Sequence, residues 1–106
     1  MSLIIEDGSI VAGANSFTTD LELLEYAGLR GIDLPDTEAE RDSLQIFAVD
    51  YLTAQEPLFK GVRVSSEQEL CYPRSGVYLN GFPVAPNEIP SNLKKAQLDL
   101  AILANS

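Results

Sequence analysis

Residues that could carry enzyme chemistry are few in this sequence, and they lack the partners that such chemistry needs. The chain has 106 residues, no histidine and a single cysteine, Cys71. Its serines therefore have no imidazole to activate them, and Cys71 has neither a base nor a second cysteine. This excludes serine hydrolase triads, an internal disulfide and the common zinc sites. We interpret Cys71 as a small buried hydrophobic residue, and we expect no enzyme activity, no catalytic or metal-binding residue and no cofactor.

Carboxylates are plentiful, but they occupy helix starts and turns. Glu6 with Asp7, and Glu38 with Glu40 and Asp42, could in principle act as acid–base pairs or bind a cation. No EF-hand or P-loop pattern accompanies them. We therefore interpret these acids as solvated faces.

One segment, residues 59–90, combines cations with aromatic rings in a pattern that favours binding. Its candidate interface residues are Phe59, Lys60, Arg63, Tyr72, Arg74 and Tyr78. Such a mixture can hold single-stranded nucleic acid by base stacking and phosphate contact. Arginine beside aromatic residues is also a common composition of protein–protein interfaces, and the same residues could simply pin their own loop. Of these three possibilities we favour contact with a partner or a neighbouring subunit.

The charge of the chain is unevenly distributed along its length. The formal net charge is −9. Residues 1–56 carry two cations against twelve acids, whereas residues 57–106 carry five cations against four acids. The acidic excess argues against a broad patch that neutralises phosphates. It could instead let an acidic face stack on a neutral-to-basic face in a repeated assembly.

Two helices are predicted in the acidic half. Thr19 with Glu22, and Thr37 with Glu40, have the spacing of capping boxes. They predict a first helix from about residue 18 and a core helix over about residues 36–54.

Apolar spacing predicts which faces of these helices are buried. For the first helix the predicted inner face contains Leu21, Leu24 and Gly28, with Leu23 and Tyr26 beside them. For the second helix it contains Ala39, Leu44, Phe47, Ala48, Tyr51 and Leu52.

The second half of the chain reads as shorter elements followed by a last helix. Ser66 and the acid three residues later predict a short helix that Pro73 ends. Asn80-Gly81 is a strong hairpin signal and predicts a small β-hairpin near residues 77–84. Pro90 suits the first position of the last helix.

Together these elements predict a mainly α fold in one domain, residues 1–106. It would comprise an extended N-terminal arm, residues 1–17, and a helical body, residues 18–106, with three longer helices, one short helix and a small β-hairpin. The arm could pack on its own body or add to a neighbour. No apolar run is long enough to span a membrane, and the N-terminus lacks the basic start of a signal peptide.

Four short motifs resemble those of a known phage family. They are Glu6-Asp7-Gly8, Phe59-Lys60-Gly61, Tyr72-Pro73-Arg74-Ser75-Gly76 and Glu88-Ile89-Pro90. The family is often labelled DnaT-like single-stranded DNA-binding protein. Its layout is similar to that of head-tail connector, or head completion, proteins of tailed phages. Tyr72 stands where tryptophan is the commoner residue.

The resemblance implies a structural protein of the virion, assembled in the host cytoplasm. It would form a homo-oligomeric ring of twelve subunits beneath the portal protein and contact downstream tail or neck proteins. DNA would pass through the ring without specific binding, past walls whose acidic charge repels the DNA backbone. The alternative is a single-stranded DNA-binding replication accessory protein, as the family label says. We expect the connector role.

Overall fold

The computed structural model describes residues 3–105. Residues 1 and 2 of the predicted arm, and Ser106 at the end of the predicted domain, lie outside the described residues. In chain order the elements are α1 (Asp20–Leu29), α2 (Glu38–Ala54), a 3₁₀ turn (Glu56–Leu58), β1 (Val62–Arg63), β2 (Arg74–Ser75), β3 (Tyr78–Leu79), β4 (Phe82–Pro83) and α3 (Ser91–Asn105). The three longer helices are thus confirmed. No helix of residues 3–105 combines the length and apolarity needed to cross a bilayer.

Both predicted helix starts are confirmed, and side chains cap them. The Thr19 hydroxyl accepts a hydrogen bond from the Glu22 amide at 3.1 Å, and the Glu22 carboxylate accepts one from the Thr19 amide at 2.9 Å, which completes the capping box of α1. At α2 the Thr37 hydroxyl accepts from the Glu40 amide at 3.3 Å. The same hydroxyl donates to the Glu40 carboxylate at 3.0 Å. This bond takes the place of the one that a complete capping box has from the backbone amide of the cap residue to the glutamate carboxylate.

Helices α2 and α3 pack against each other, and α1 contacts both. The larger core cluster contains Ala14, Phe17, Val49, Leu52, Leu70, Cys71, Tyr72, Val77 and Leu93. A second cluster joins the three helices through Leu23, Ala48, Leu98 and Ala101. Loop residues 59–90 therefore supply much of the core that the helices alone lack.

The buried faces of α1 and α2 differ from those that the apolar spacing predicts. In α1, Leu23 and Ala27 are buried, whereas Leu21 is 63% exposed. In α2, Phe47 and Tyr51 are 60% and 50% exposed. Each helix has apolar residues on two sides, and contacts with the other helices decide which side is covered.

Residues 3–17 fold back on themselves and pack on their own body, so the expectation of an extended arm is wrong for the described part. Ile5 and Ser16 form a parallel bridge, and the Glu6 amide donates to the Ser16 carbonyl at 2.8 Å. Ala14 and Phe17 then enter the larger core cluster. The segment thus packs on its own domain, although Ile4 stays 42% exposed and Leu3 and Ile5 are half-buried.

A buried network of amides joins this N-terminal loop to α2 and α3. Gln97 accepts a hydrogen bond from the Phe17 amide at 2.9 Å and donates to Ser16 Oγ at 2.7 Å and Gln45 Oε1 at 2.8 Å. Gln45 also accepts from the Thr18 hydroxyl. Because both glutamines are fully buried and fully partnered, they fix the relative position of the loop and the two helices.

The predicted short helix at Ser66 is absent, while the predicted hairpin is confirmed. The Gln68 side chain accepts from the Ser65 amide at 3.0 Å and donates to the carbonyls of Leu70 and Pro73 at 2.8 and 2.9 Å. These local bonds from a side chain to the backbone hold the segment in a turn instead of a helix. In the hairpin, β3 and β4 are joined by Asn80-Gly81, both with positive φ. A second antiparallel pair, β1 with β2, was not predicted.

Candidate functional site

A groove with aromatic walls lies where the turn after α2, strand β3 and the start of α3 meet. Its volume is about 390 Å³. It is lined by Leu52, Phe59, Lys60, Tyr72, Val77, Tyr78, Leu79, Pro90, Asn92, Leu93 and Ala96. We call this the aromatic groove. Its volume lies in the range of ordinary ligand pockets, and its lining is mostly apolar with a few polar groups, as is typical of such pockets.

Four of the six predicted interface residues line the aromatic groove: Phe59, Lys60, Tyr72 and Tyr78. Phe59 and Tyr72 form its deeper wall, with ring centroids 6.0 Å apart and planes at 52°. Tyr72 is only 8% exposed, and burial raises the pKa of its hydroxyl above the ordinary value. Tyr78, in contrast, is 63% exposed. It is therefore the aromatic ring of the groove that a ligand can reach most easily.

Arg74 does not reach a surface, so its assignment as an interface residue does not fit the structure. The residue is 6% exposed. Its guanidinium donates to the Glu56 carboxylate at 2.7 Å and to the carbonyls of Lys60, Gly61 and Cys71 at 3.0, 2.9 and 3.2 Å. With four hydrogen bonds to its own chain, Arg74 pins the loop, as in the third of the possibilities raised by the sequence.

Arg63 shares the same carboxylate and also lies outside the groove lining. It makes a bidentate pair with Glu56, with both N–O distances at 2.7 Å, and donates to the Gln68 carbonyl at 3.1 Å. These bonds from Arg63, together with those from Arg74, hold the pKa of Glu56 below its usual range. A carboxylate bound by two arginines in this way is a structural clamp, which we call the Glu56 clamp, defined by Glu56, Arg63 and Arg74.

Gly61 allows the two sides of the Glu56 clamp to approach closely. Its φ is +73°, and a Cβ at this position would lie 2.2 Å from the Ser75 carbonyl oxygen. A side chain would therefore require the backbone to move. The chain next to Lys60 of the groove is thereby packed directly against the Ser75 backbone.

Helix α3 brings one polar residue into the groove lining and a lysine close to it, and the sequence patterns selected neither. Asn92 lines the groove, and Lys95 lies three residues later, next to it on the helix surface. Lys60, on the opposite rim, is exposed. Within residues 3–105 none of the ion pairs involves either lysine. Asn92 and Lys95 lie two and five residues after Pro90, so the sequence signal for them was their position in the first turns of a helix.

Cys71 and two carboxylates are buried elsewhere in the fold. The thiol is fully buried as predicted, and burial raises its pKa to about 11.

The interpretation of all the acids as solvated is wrong for Glu6 and Asp42, which are fully buried. Glu6 closes the N-terminal loop by accepting from the amides of Gly8, Ile10 and Val11 at 2.9 to 3.0 Å. Nowhere in residues 3–105 do three or more Asp, Glu or Cys side chains gather as a metal site would require.

Comparison with known families bears on the expected function. A family model described as "Putative DnaT-like ssDNA binding protein" matches residues 1–106. No curated protein and no solved structure matches the chain. The match contradicts the expected role as a head-tail connector and agrees with the alternative, single-stranded DNA binding. The ring of twelve, its portal and tail contacts and the virion location stay predictions of the resemblance. The chain belongs to the family of putative DnaT-like single-stranded DNA-binding proteins.

Proposed function

We propose that this protein binds single-stranded DNA in the aromatic groove and carries out no reaction on it. The observation that carries the proposal is the position of Tyr78, an exposed ring beside an apolar groove whose rim holds Lys60 and Asn92. The family description, which names single-stranded DNA binding, supports the same function.

Base stacking on Tyr78 would supply most of the affinity. Each base has a flat face, so stacking on an exposed aromatic ring tolerates any sequence and contributes about 1–3 kcal/mol per base. The apolar floor of the groove, formed by residues such as Leu93 and Ala96, suits the flat face of an unstacked base. The Asn92 amide offers both a donor and an acceptor to that base.

Phosphate contacts would be few. Lys60 and Lys95 are the cations placed to meet the backbone of a strand in the groove, because Arg63 and Arg74 are held in the Glu56 clamp. Two phosphate contacts predict a slope of about −1.4 for the logarithm of the association constant against the logarithm of salt concentration. With a net charge of −9 on the whole chain, binding should be weak and confined to this groove.

Fluorescence anisotropy of a labelled oligothymidine tests the proposal with matched variants. Tyr78→Ala should weaken binding by roughly 5- to 150-fold, the equivalent of one lost stacking contact. Tyr51→Ala is the control, because Tyr51 is similarly exposed but lies on α2 outside the groove. Lys60→Ala should lower the salt slope by about 0.7. Lys94→Ala, on another side of α3 from Asn92, should leave the slope unchanged.

Two results would contradict the proposal. One is the absence of measurable binding at low salt. The other is an equal affinity of the Tyr78→Ala and Tyr51→Ala variants for the oligonucleotide, which would place any binding outside the aromatic groove. A double-stranded competitor should displace the oligothymidine poorly, since paired bases cannot stack on Tyr78.

A further inference from the structure

A second cavity lies on another part of the surface, between the N-terminal loop and the starts of α1 and α2. Its volume is about 390 Å³. Leu3, Ile5 and Leu21 supply apolar walls, and Asp20, Glu38 and Asp42 supply carboxylates. None of these residues lines the aromatic groove. We call it the acidic pocket.

Asp42 is the exceptional residue of the acidic pocket. It is 0% exposed, and neither of its carboxylate oxygens has a hydrogen-bond partner within residues 3–105. Buried carboxylates are normally paired or hydrogen-bonded, because burial of an unpaired charge is costly. Burial, with Glu38 and Asp20 nearby, raises the pKa of Asp42.

The neighbouring arginine donates no hydrogen bond to Asp42. Arg41 directs its guanidinium at Asp20, with N–O distances of 2.8 and 3.0 Å, and at the carbonyls of Pro35 and Asp36 at 3.0 and 3.1 Å. Asp20 is thereby neutralised. Among residues 3–105, Asp42 and the exposed Glu38 are therefore the carboxylates of the acidic pocket that make no ion pair.

We propose that the acidic pocket receives an alkyl cation, the side chain of a lysine or arginine presented by another protein. Such side chains bury their methylene stems against apolar walls while the charged head seeks a carboxylate. Leu3, Ile5 and Leu21 match the stem, and Asp42 matches the head. The pairing would give Asp42 the partner that its burial demands.

Carbon-detected NMR of the whole protein tests this proposal with small probes. Nα-acetyl-lysine methylamide and its arginine counterpart carry the cation on its stem, and the norleucine counterpart carries the stem alone. At least one cationic probe should shift the Asp42 carboxyl carbon saturably and lower the pKa of Asp42. The norleucine probe should produce no saturable shift.

Matched variants keep the test specific to Asp42. The backbone amide signals of Ile5 and Leu21 should shift saturably when the cationic probe is added to the unmodified protein. They should shift equally in Asp50→Asn, which alters an exposed acid of the same helix. In Asp42→Asn the probe should produce no saturable shift of these signals. The proposal is overturned by the absence of a saturable shift with both cationic probes, by equal shifts with norleucine, or by unchanged binding in Asp42→Asn.

Discussion

Removal of the charge on Glu56 should loosen the loop that carries one wall of the aromatic groove. Glu56→Gln keeps the size of the side chain but removes the negative charge of a carboxylate that accepts three hydrogen bonds of 2.7 Å. Arg74, only 7% exposed at its side chain, would lose a buried partner, which by itself costs about 3 kcal/mol. Arg63 is 32% exposed, so solvent screening limits its share to at most about 1 kcal/mol.

The free energy of unfolding should therefore fall by about 3–4 kcal/mol at pH 7, out of the 5–15 kcal/mol usual for a domain. Because the pKa of Glu56 is lowered in the folded state, its stabilising effect is complete above the ordinary value of 4.5 and disappears as the pH falls through the folded-state value. The difference between the variant and the unmodified protein should accordingly shrink from pH 7 to pH 3.

Urea unfolding at both pH values measures these differences. Glu67→Gln is the matched control, since Glu67 is an exposed acid of the same loop, and it should change the stability by less than about 0.5 kcal/mol. A Glu56→Gln variant as stable as Glu67→Gln at pH 7 would refute the clamp. A stability loss that persisted undiminished at pH 3 would refute its electrostatic origin.

Three further predictions concern other parts of the fold. Asp42→Asn should raise the free energy of unfolding at pH 7 by about 1 kcal/mol, since an unpaired buried charge is removed. Because the pKa of Asp42 is raised in the folded state, this gain should vanish at a pH below the ordinary pKa of 3.8. Urea unfolding at two pH values would detect the change. Gly61→Ala should lower the melting temperature because the added Cβ would collide with Ser75. Gly28 lies in α1, and a Cβ added there would meet no atom within 4 Å, so Gly28→Ala should raise the free energy of unfolding by about 0.5–1 kcal/mol. Cys71 should not react with a thiol reagent at pH 8 in the native protein and should react after unfolding, because burial raises its pKa to about 11; rapid native labelling would contradict the buried position.

Local signals in the sequence predicted local structure well. The capping residues Thr19 and Thr37 and the Asn80-Gly81 turn act within a few residues of themselves, so their patterns located two helix starts and the hairpin.

The misses arose where side-chain bonds or distant contacts override a local pattern. Ser66 has the spacing of a helix start, but the nearby Gln68 side chain bonds the backbone of Ser65, Leu70 and Pro73 and holds the segment in a turn. The position of Asp42 in its helix does not indicate that the N-terminal loop and α1 cover it, and for this reason it was interpreted as a solvated acid.

The candidate site was predicted in part. Phe59, Lys60, Tyr72 and Tyr78 were selected by composition, and the fold brings them to one groove. Arg74 was selected by the same rule, and no local pattern could show that its donors reach back to Glu56, eighteen residues earlier. The charge distribution indicated an assembly protein, and the family match corrected that expectation towards single-stranded DNA.

The most direct test of DNA binding in the aromatic groove is an amide NMR titration with a short oligothymidine at low salt. The largest saturable shifts should fall on the amide signals of Lys60, Tyr78 and Asn92, while the signal of Tyr51 on α2 should stay unchanged. Saturable shifts centred on residues outside the groove, or no shift at millimolar oligonucleotide, would contradict it.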